Sequence, residues 1–591
     1  MRRVPWMTGS FLPLLAGAVL AQQPTAPAAG DPPARVARVS SILGTVSLQP
    51  SGDTGWTLAT VNYPMTAGDR IYTDSGARTE LQIGLVTARA DEGTDLTVTN
   101  LTDQLVQLGL TQGTLEVSIY RLDPGDSVEV DTPRGALALL APGDYRIDSP
   151  PGDQAMVVAV GHGSLQWTAG GVAQVVQEGQ AIQVTGINPI QVASIPRPPA
   201  DAFDQWSAER DRSLSASPSA QYVSRDVPGY EDLDANGSWS VEGDYGPVWY
   251  PTAVPAGWVP YRIGHWAWIE PWGWTWVEHE SWGYAPFHYG RWAYVGTRWG
   301  WIPGPVDVRP YYAPALVVFL GGSSFQAGVQ AWFPLGPGEP YYPWYHHDDE
   351  YRRRINVTNM RNFRDVAHVN DVTYINRIQY RNRSVATTAV ATTAFQNGQP
   401  VGRRAIAVDR NTLGRAAILP HPIALPARTA ASGGVPSPGV PRTRRPEWVN
   451  APAPRPAPPA SRNQPLVVQR NVPAAGPTPV LITRRTPPPQ QPAFHLRQQA
   501  MQPDAGRPLE PQQIQNLQSG KAAGPRRDPE YPAHAMPPAQ RPMPPAQRLM
   551  PPAQRPTPPA HRPTPAAQPA PSARRTPAAQ PAREPAKRPK P

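Results

Sequence analysis

The tryptophan distribution constrains this chain more than any other feature. Fourteen of its 19 tryptophans lie between Trp239 and Trp344, and the chain has no cysteine. Disulfides and thiolate metal sites are therefore excluded as a means of holding this region together. A buried indole contributes a large apolar area, and aromatic pairs add about 0.5–1.5 kcal/mol each. We predict a compact domain with an aromatic core.

The same region contains an internal repeat of 26 residues. When Gly257 is aligned with Gly283, aromatic residues and glycines recur at matching places, for example Trp266 opposite Trp292. A unit this short is a supersecondary element that buries its apolar face only against its neighbours. The repeat predicts β-hairpins or three-strand ribbons within a domain covering residues 222–400.

Residues 35–195 alternate between apolar and polar side chains. The apolar members of the clearest runs are Leu81, Ile83, Leu85, Val106, Leu108, Leu110, Leu115, Val117 and Ile119. Period two places one face of each strand in a core and the other in water. Glycine-containing turn signals recur between the runs, so the pattern predicts a β sandwich or roll. The fold class is therefore mainly β.

Several motifs in this part of the chain occur in an order that resembles the FecR-like domain. They are Gly44-Thr45-Val46, Ala67-Gly68-Asp69-Arg70-Ile71-Tyr72-Thr73, Ser75-Gly76-Ala77-Arg78-Thr79-Glu80-Leu81, Thr132-Pro133, Gly143-Asp144-Tyr145 and Glu178-Gly179-Gln180. The resemblance implies a periplasmic β domain, which in relatives belongs to regulators that sense a transporter and control a sigma factor. Those regulators carry a cytoplasmic domain and a spanning helix ahead of this domain. Only five residues precede the hydrophobic run here, so we expect no such relay.

A second resemblance runs from Phe203 to about Gly398. It includes Tyr230-Glu231-Asp232-Leu233, Gly237-Ser238-Trp239 and Trp299-Gly300-Trp301. These motifs resemble an uncharacterised exported family in which a Trp-, Tyr- and Gly-rich domain follows a FecR-like domain. The resemblance implies this order of domains but does not indicate any particular activity.

Between the two regions the period changes to that of a helix. Phe203, Trp206, Arg210 and Leu214 recur at intervals of three or four, and Asp201 is placed to cap the first turn. We predict a connecting helix and linker over residues 200–218, with its aromatic face on a neighbouring domain.

Both ends of the chain have a special composition. Residues 401–591 hold 45 of the 79 prolines and a net charge of +21, whereas residues 1–400 sum to −12. We predict a disordered basic tail that serves as a tether, either binding polyanions weakly or folding back on the acidic body. Nucleic acid is disfavoured because the tail lacks interleaved aromatics.

At the other end, Arg2 and Arg3 precede an apolar run that ends at Ala21. This pattern predicts a signal peptide over residues 1–21, a linker over 22–34 and a periplasmic or secreted protein. We expect no transmembrane segment after cleavage.

Candidate binding residues are of two kinds. If rings of the aromatic region are exposed, Trp268, Trp276 and Tyr294 are candidates for stacking on sugars, although an aromatic core is the stronger interpretation. Asp232, Asp234 and Asn236 fit the first half of a calcium loop, but the twelfth position is Gly243 instead of glutamate.

Catalytic motifs are not evident. His279-Glu280 begins a zinc-protease pattern that fails at Gly283, and His265 is assigned to packing or surface hydrogen bonding. We predict no cofactor and no enzymatic activity. The leading hypothesis is an exported scaffold or tether whose partners are envelope proteins or polysaccharide. The alternatives are a carbohydrate- or peptidoglycan-binding module and a FecR-type signalling partner without a membrane relay.

Overall fold

The computed structural model describes residues 30–524 except 323–324, 326, 360–377, 432–433, 440, 442–443, 454, 457–465 and 470–477. The predicted signal peptide and the end of the predicted tail, residues 525–591, lie outside the described residues. Strand exceeds helix, which confirms the mainly β class. None of the described helices combines the length and the apolar character needed to cross a membrane.

Seventeen strands make up the first region. They are β1 Ala37–Leu43, β2 Val46–Gln49, β3 Thr57–Leu58, β4 Pro64–Met65, β5 Arg70–Thr73, β6 Arg78–Ile83, β7 Val86–Ala90, β8 Asp95–Leu101, β9 Leu105–Ile119, β10 Ser127–Thr132, β11 Gly135–Leu139, β12 Gly143–Ser149, β13 Met156–Val160, β14 Ser164–Ala169, β15 Val172–Gln177, β16 Ala181–Thr185 and β17 Ile190–Ile195.

These strands form two sheets that share the long strand β9. One sheet has the order β4-β1-β6-β7-β9-β12-β13-β16-β17, and the other has the order β3-β2-β5-β8-β9-β10-β11-β14-β15. The change of sheet falls at Gly113, which has φ +100° and whose added Cβ would lie 2.3 Å from the Thr94 backbone. Only glycine fits this position without strain.

The alternating apolar residues point into the core as predicted: Leu81, Leu108 and Leu115 have no solvent exposure. The polar positions between them differ from the prediction. Glu80 and Gln82 are also buried, because a helix covers the outer face of their sheet. Strand alternation could not show this second layer.

The aromatic region adds eight strands: β18 Gly237–Glu242, β19 Gly246–Pro251, β20 Gly264–Ile269, β21 Gly273–Glu278, β22 Arg291–Val295, β23 Arg298–Ile302, β24 Val317–Gly321 and β25 Val329–Pro334. Each copy of the repeat contains one hairpin, β20–β21 in the first and β22–β23 in the second. The hairpin prediction is therefore confirmed. The second hairpin joins β18 and β19 in a four-stranded sheet, whereas the first hairpin forms a separate two-stranded sheet.

Thirteen of the fourteen clustered tryptophans are buried, and Trp239 is partly exposed. Trp266 lies at the centre, with ring centroids 5.5 Å from Trp276 and 5.4 Å from Trp332. Several buried indole N–H groups donate to backbone carbonyls, as where Trp332 donates to the Tyr261 oxygen at 3.0 Å, whereas those of Trp258 and Trp266 have no hydrogen-bond partner among the described residues. The prediction of an aromatic core is confirmed.

The helices are short connections apart from the first. The α-helices are Ala202–Ala216, Asp232–Asn236, Tyr284–His288, Asp349–Asn359, Arg383–Ala386, Thr392–Gln396, Arg410–Arg415, Arg428–Ala431, Phe494–Met501 and Pro511–Gln518, and the 3₁₀ helices are Pro218–Gln221, Gly402–Arg404 and Gln502–Asp504. The predicted connecting helix is present at Ala202–Ala216 with Asp201 as its N-cap. Its buried face packs on the first region.

Residues 388–483 contain six further strands, five of them beyond residue 400. They are β26 Thr388–Ala391, just before that boundary, and β27 Ala417–Leu419, β28 Glu447–Asn450, β29 Arg455–Pro456, β30 Leu466–Val468 and β31 Val480–Thr483. β26 and β27 flank β24 and β25 in one four-stranded sheet, while β29, β30 and β31 pair with β15, β17 and β10. Placing the start of disorder at residue 401 is therefore wrong for the described part of the tail.

The physical reason is that this segment uses a core built by the rest of the chain. Phe494 and Leu481 are buried, and the Arg497 guanidinium donates to Glu270 at 2.7 Å and to the Pro492 carbonyl at 2.9 Å. Arg428 pairs with Asp53 at 2.9 Å. Composition predicts that the segment forms no core of its own, and it leaves binding to the acidic body open as one of the predicted alternatives.

Candidate functional site

A row of alternating charges crosses the outer face of the first sheet. Glu80 on β6 lies opposite Arg89 on β7, Arg89 lies opposite Glu116 on β9, and Glu116 lies opposite Arg146 on β12. Opposite charges at directly facing positions stabilise antiparallel pairs. We call these four residues the charge ladder.

The helix Ala202–Ala216 lies over the ladder and adds its own charges. Arg210 contacts Glu80 at 2.7 Å, and Asp211 contacts Arg89 at 2.7 Å. Arg146 contacts Asp204 in the first turn at 2.7 Å. The helix is thus fixed to the sheet by three ion pairs spread along its length.

The pKa values of the two glutamates of the ladder are shifted in opposite directions. Burial alone would raise the pKa of Glu80, but the hydrogen bonds and charges of Arg210 and Arg89 outweigh it and lower the pKa to about 2. Burial raises the pKa of Glu116 to about 7, because the charges near it compensate less well. Glu80 is therefore a firm anion, whereas Glu116 changes charge near neutral pH.

A cleft opens beside the ladder where the first region meets the loop that leads to the aromatic region. Its floor is the next row of the same sheet face, Gln82, Thr87, Ser118 and Asp144. The cavity volume is about 280 Å³. This is just below the roughly 300–1,000 Å³ of small-molecule sites, so it suits one side chain or one small group.

Apolar and aromatic residues form the walls. Leu85, Ile119 and Leu214 line the cleft, together with Tyr120, which is 57% exposed, and Tyr230. At one end, His162 lies 2.6 Å from Asp144, and this hydrogen bond raises the pKa of the imidazole. The cleft therefore combines apolar surface with charged groups of both signs.

Glu231 is the most buried carboxylate of the cleft. One of its oxygens accepts a hydrogen bond from Gln82 Nε2 at 2.5 Å and lies 3.9 Å from Arg210. Burial, followed by the charge of Asp232, raises the pKa of Glu231 to about 7. This carboxylate comes from the loop after the connecting helix, and Asp211, Leu214 and Ser215 of the helix also line the cleft.

The structure separates the three aromatic candidates. Trp268 and Trp276 are 3% and 0% exposed, and their N–H groups donate to Glu270 and Glu278 within the domain. Rings buried in this way cannot stack on a sugar, so the prediction is wrong for these two. Tyr294 is 52% exposed and stands apart from them on β22.

The partial calcium-loop motif does not bring its side chains together. Residues 232–236 form a helical turn, and the carboxylates point to different partners. Asp232 pairs with Arg38 at 2.5 Å, whereas Asp234 accepts from the Ser219 backbone N–H at 3.0 Å. Asn236 donates to the Asp232 carbonyl. In the described part of the chain, no group of three or more His, Asp or Glu side chains is arranged to hold a metal.

The two histidines noted in the aromatic region contact each other. His265 Nδ1 lies 2.9 Å from His279 Nε2 across the β20–β21 hairpin. Burial lowers the pKa of both imidazoles, to about 3 for His265. The pair is a neutral hydrogen bond, in agreement with the assignment of His265 to hydrogen bonding.

Sequence reasoning missed both the ladder and the cleft. Their residues occupy the polar positions of alternating strands, which the period assigns to water. The available signal was the set of opposite charges at those positions on β6, β7, β9 and β12. It could not be used because the sequence does not show which strands are neighbours.

Comparison with known proteins gives limited information. Residues 230–339 match a family of unknown function, DUF6600, and lie inside the Trp-, Tyr- and Gly-rich region. No curated protein matches the chain. The resemblance of residues 35–195 to FecR-like domains stays a prediction.

Two similar solved structures are both described as a putative anti-sigma factor from Parabacteroides distasonis ATCC 8503. The one at 2.50 Å is 16% identical with a TM-score of 0.20, and the match covers 22% of this chain and 59% of that chain. The one at 1.65 Å is 14% identical with a TM-score of 0.20, covering 24% and 64%. The chain spans less than two thirds of the length of either structure.

Proposed function

We propose that this chain is a non-enzymatic interaction scaffold that binds a partner protein in the cleft between the first sheet, the connecting helix and the loop containing Glu231. The observation that carries the proposal is the cleft itself. It joins an apolar wall to charged groups of both signs, and it is assembled from three separate parts of one body.

The state of the charged residues supports a binding role. Glu80, Arg89 and Asp211 are held in fixed ion pairs, an arrangement that joins helix to sheet instead of exchanging protons with a substrate. The aromatic region supports it as well, since its clustered tryptophans are core residues apart from the partly exposed Trp239. A carbohydrate-binding function is therefore not retained.

The compartment belongs to the same proposal. We infer an exported protein that acts outside the cytoplasm, and the basic and apolar pattern of the first 21 residues supports this. Recovery of the chain from an osmotic-shock fraction, with an N-terminus at Gln22, is the expected result. A cytoplasmic protein that keeps Met1 would contradict it.

Site-specific crosslinking in living cells tests the binding role. A photoreactive amino acid at Tyr120, on the rim of the cleft, should yield a discrete crosslinked product. The same probe at Val241, which is 75% exposed on β18, should not. Identical products at both positions, or no product at Tyr120, would count against the cleft as the binding surface.

A further inference from the structure

Two carboxyl groups are buried side by side on the outer face of the second sheet, the one that runs from β3 to β15. Glu129 and Asp131 lie two positions apart on β10, so their side chains share one face, and they are 3% and 0% exposed. Neither carboxyl group forms an ion pair with a basic side chain in the described part of the chain. Their cross-strand neighbours on β9 and β11 are also uncharged: Gln107, Gly109, Ala136 and Ala138. A buried anion without a cation beside it is costly, so the pair favours holding a proton.

Residues 481–485, which we call the cover, close over this pair. Glu129 accepts a hydrogen bond from the Arg484 backbone N–H at 2.7 Å. The Gln107 amide donates to Asp131 at 2.9 Å and to the Thr483 hydroxyl at 2.8 Å. The side chains of Arg484 and Arg485 are exposed, and so is that of Glu447 on the neighbouring strand β28. The cover therefore meets the two carboxyl groups with backbone and hydroxyl groups instead of cations.

The closed cover leaves polar atoms of the sheet unpaired. Leu481 packs on Gly109, where an added Cβ would lie 2.9 Å from Leu481 Cδ1 and 2.9 Å from the Thr99 hydroxyl. That hydroxyl and Gln107 Oε1 are buried and have no hydrogen-bond partner among the described residues. Each of these atoms is shielded from water and gains no protein hydrogen bond in return, which opposes closure.

Burial of the pair links closure to a proton. Burial, followed by the charge of Glu129, raises the pKa of Asp131 well above its usual range. When the cover is open, both carboxyl groups face water and the pKa of Asp131 returns toward its usual value. Closure therefore takes up a proton. Because the pKa is raised in the closed state, closure is most favourable at acidic pH and weakens as the pH rises toward the pKa of the closed state.

We propose that residues 481–485 are a proton-operated cover, closed on the second sheet while Glu129 and Asp131 share one proton and released when that proton is lost to solvent. Release exposes Gly109 and the Thr99 hydroxyl, which the closed cover hides. The cover lies on a different sheet from the cleft, so this proposal is independent of the scaffold function.

Thiol reactivity in the full chain measures opening of the cover. The chain has no cysteine, so Leu481→Cys introduces a single thiol at a buried position of the cover. A methanethiosulfonate reagent modifies this thiol when the cover opens. The rate is divided by that of the same protein unfolded in urea at the same pH, which corrects for ionisation of the thiol and yields the opening constant. This constant should rise at least about tenfold from pH 5.5 to pH 7.5, because release of one proton gives up to about tenfold per pH unit.

Substitutions in the Leu481→Cys protein assign the proton. Asp131→Asn keeps the shape of the side chain and cannot ionise, so the opening constant should change less than about twofold over the same pH range. Glu129→Gln removes the repelling charge and should also reduce the rise, which gives a second test if Asp131→Asn does not fold. Glu447→Gln is the matched control, because it removes an exposed carboxyl group from β28 and should leave the rise unchanged. An opening constant that is independent of pH in the Leu481→Cys protein, or a rise that persists in Asp131→Asn and Glu129→Gln, would overturn the proposal.

A second thiol position distinguishes local opening from unfolding of the whole region. Leu108 is fully buried on the core face of β9, so Leu108→Cys should react only when the sheets separate. Its thiol should react at least about a hundredfold more slowly than that of Leu481→Cys, because local opening requires less free energy than global unfolding. Equal rates at the two positions would mean that the cover opens only on unfolding, and this result would refute it.

Discussion

Replacing Glu80 by glutamine gives the most informative test of the charge ladder. The substitution keeps the shape of the side chain and removes the negative charge that faces both Arg89 and Arg210. Arg89 is almost fully buried, with 1% of its side chain exposed. Breaking a buried ion pair costs about 3–5 kcal/mol when the other charge is left uncompensated. Since Arg89 keeps its contact with Asp211 at 2.7 Å, the loss here should lie near the lower end of that range.

The pKa of Glu80 gives a second estimate of the same quantity. It is lowered from 4.5 to about 2, and each unit corresponds to about 1.36 kcal/mol, so the ionised carboxylate contributes about 3 kcal/mol at pH 7. Because the folded pKa is depressed, this contribution is complete above pH 4.5 and is lost as the pH falls toward 2. About 1.4 kcal/mol of it should remain at pH 3.

The assay is urea unfolding followed by tryptophan fluorescence at pH 7 and pH 3. Glu80→Gln should lower the free energy of unfolding by about 3 kcal/mol at pH 7 and by less than half of that at pH 3. Glu209→Gln, which removes an exposed charge from the same helix, is the control and should have no measurable effect. A loss below about 1 kcal/mol at pH 7, or one independent of pH, would refute the ladder as a stabilising element.

Four further predictions concern substitutions of Glu116, Gly113, Trp266 and Arg497. Glu116→Gln should raise the free energy of unfolding by up to about 3 kcal/mol at pH 8 and leave it unchanged at pH 4. The reason is that the pKa of Glu116 is raised to about 7 in the folded state, so ionising this carboxyl destabilises the protein as the pH rises. Identical urea unfolding curves for the variant and the wild-type protein at pH 8 would contradict this. Gly113→Ala should destabilise by well over about 1 kcal/mol in the same urea assay, since φ is +100° and the new Cβ would meet backbone at 2.3 Å. Trp266→Ala should lower the free energy of unfolding by about 3–5 kcal/mol, whereas Tyr294→Ala on the surface should lower it little. A larger loss for Tyr294→Ala than for Trp266→Ala would contradict the position of the core. Arg497→Met should make residues 485–524 more sensitive to a protease that does not cleave at arginine, because the guanidinium of Arg497 holds this segment to Glu270; equal cleavage rates within these residues in the variant and the wild-type protein would show that the contact is dispensable.

The sequence alone was sufficient for features that depend on neighbours along the chain. Alternation in residues 35–195 predicted strands, the repeat predicted hairpins, and Asp201 predicted the start of a helix. The absence of cysteine together with clustered tryptophan predicted an aromatic core. All of these follow from local geometry and from the need to bury apolar surface.

Only the tertiary structure decided which polar residues meet. Glu80, Arg89, Glu116 and Arg146 are separated by up to 66 positions in sequence and become neighbours through strand order. The same is true of the cleft, whose Glu231 comes from another region. Strand order is set by the packing of the whole chain, so no local period encodes it.

The basic segment after residue 400 is a second case in which the sequence did not show which residues meet. Its composition predicted no independent core, yet Phe494 and Leu481 are buried, and β31, which contains Leu481, pairs with β10. Composition measures what a segment can bury within itself, whereas stability depends on what the rest of the molecule offers it. The surface that buries this segment is formed by the tertiary structure, and so is the core that buries Trp268 and Trp276.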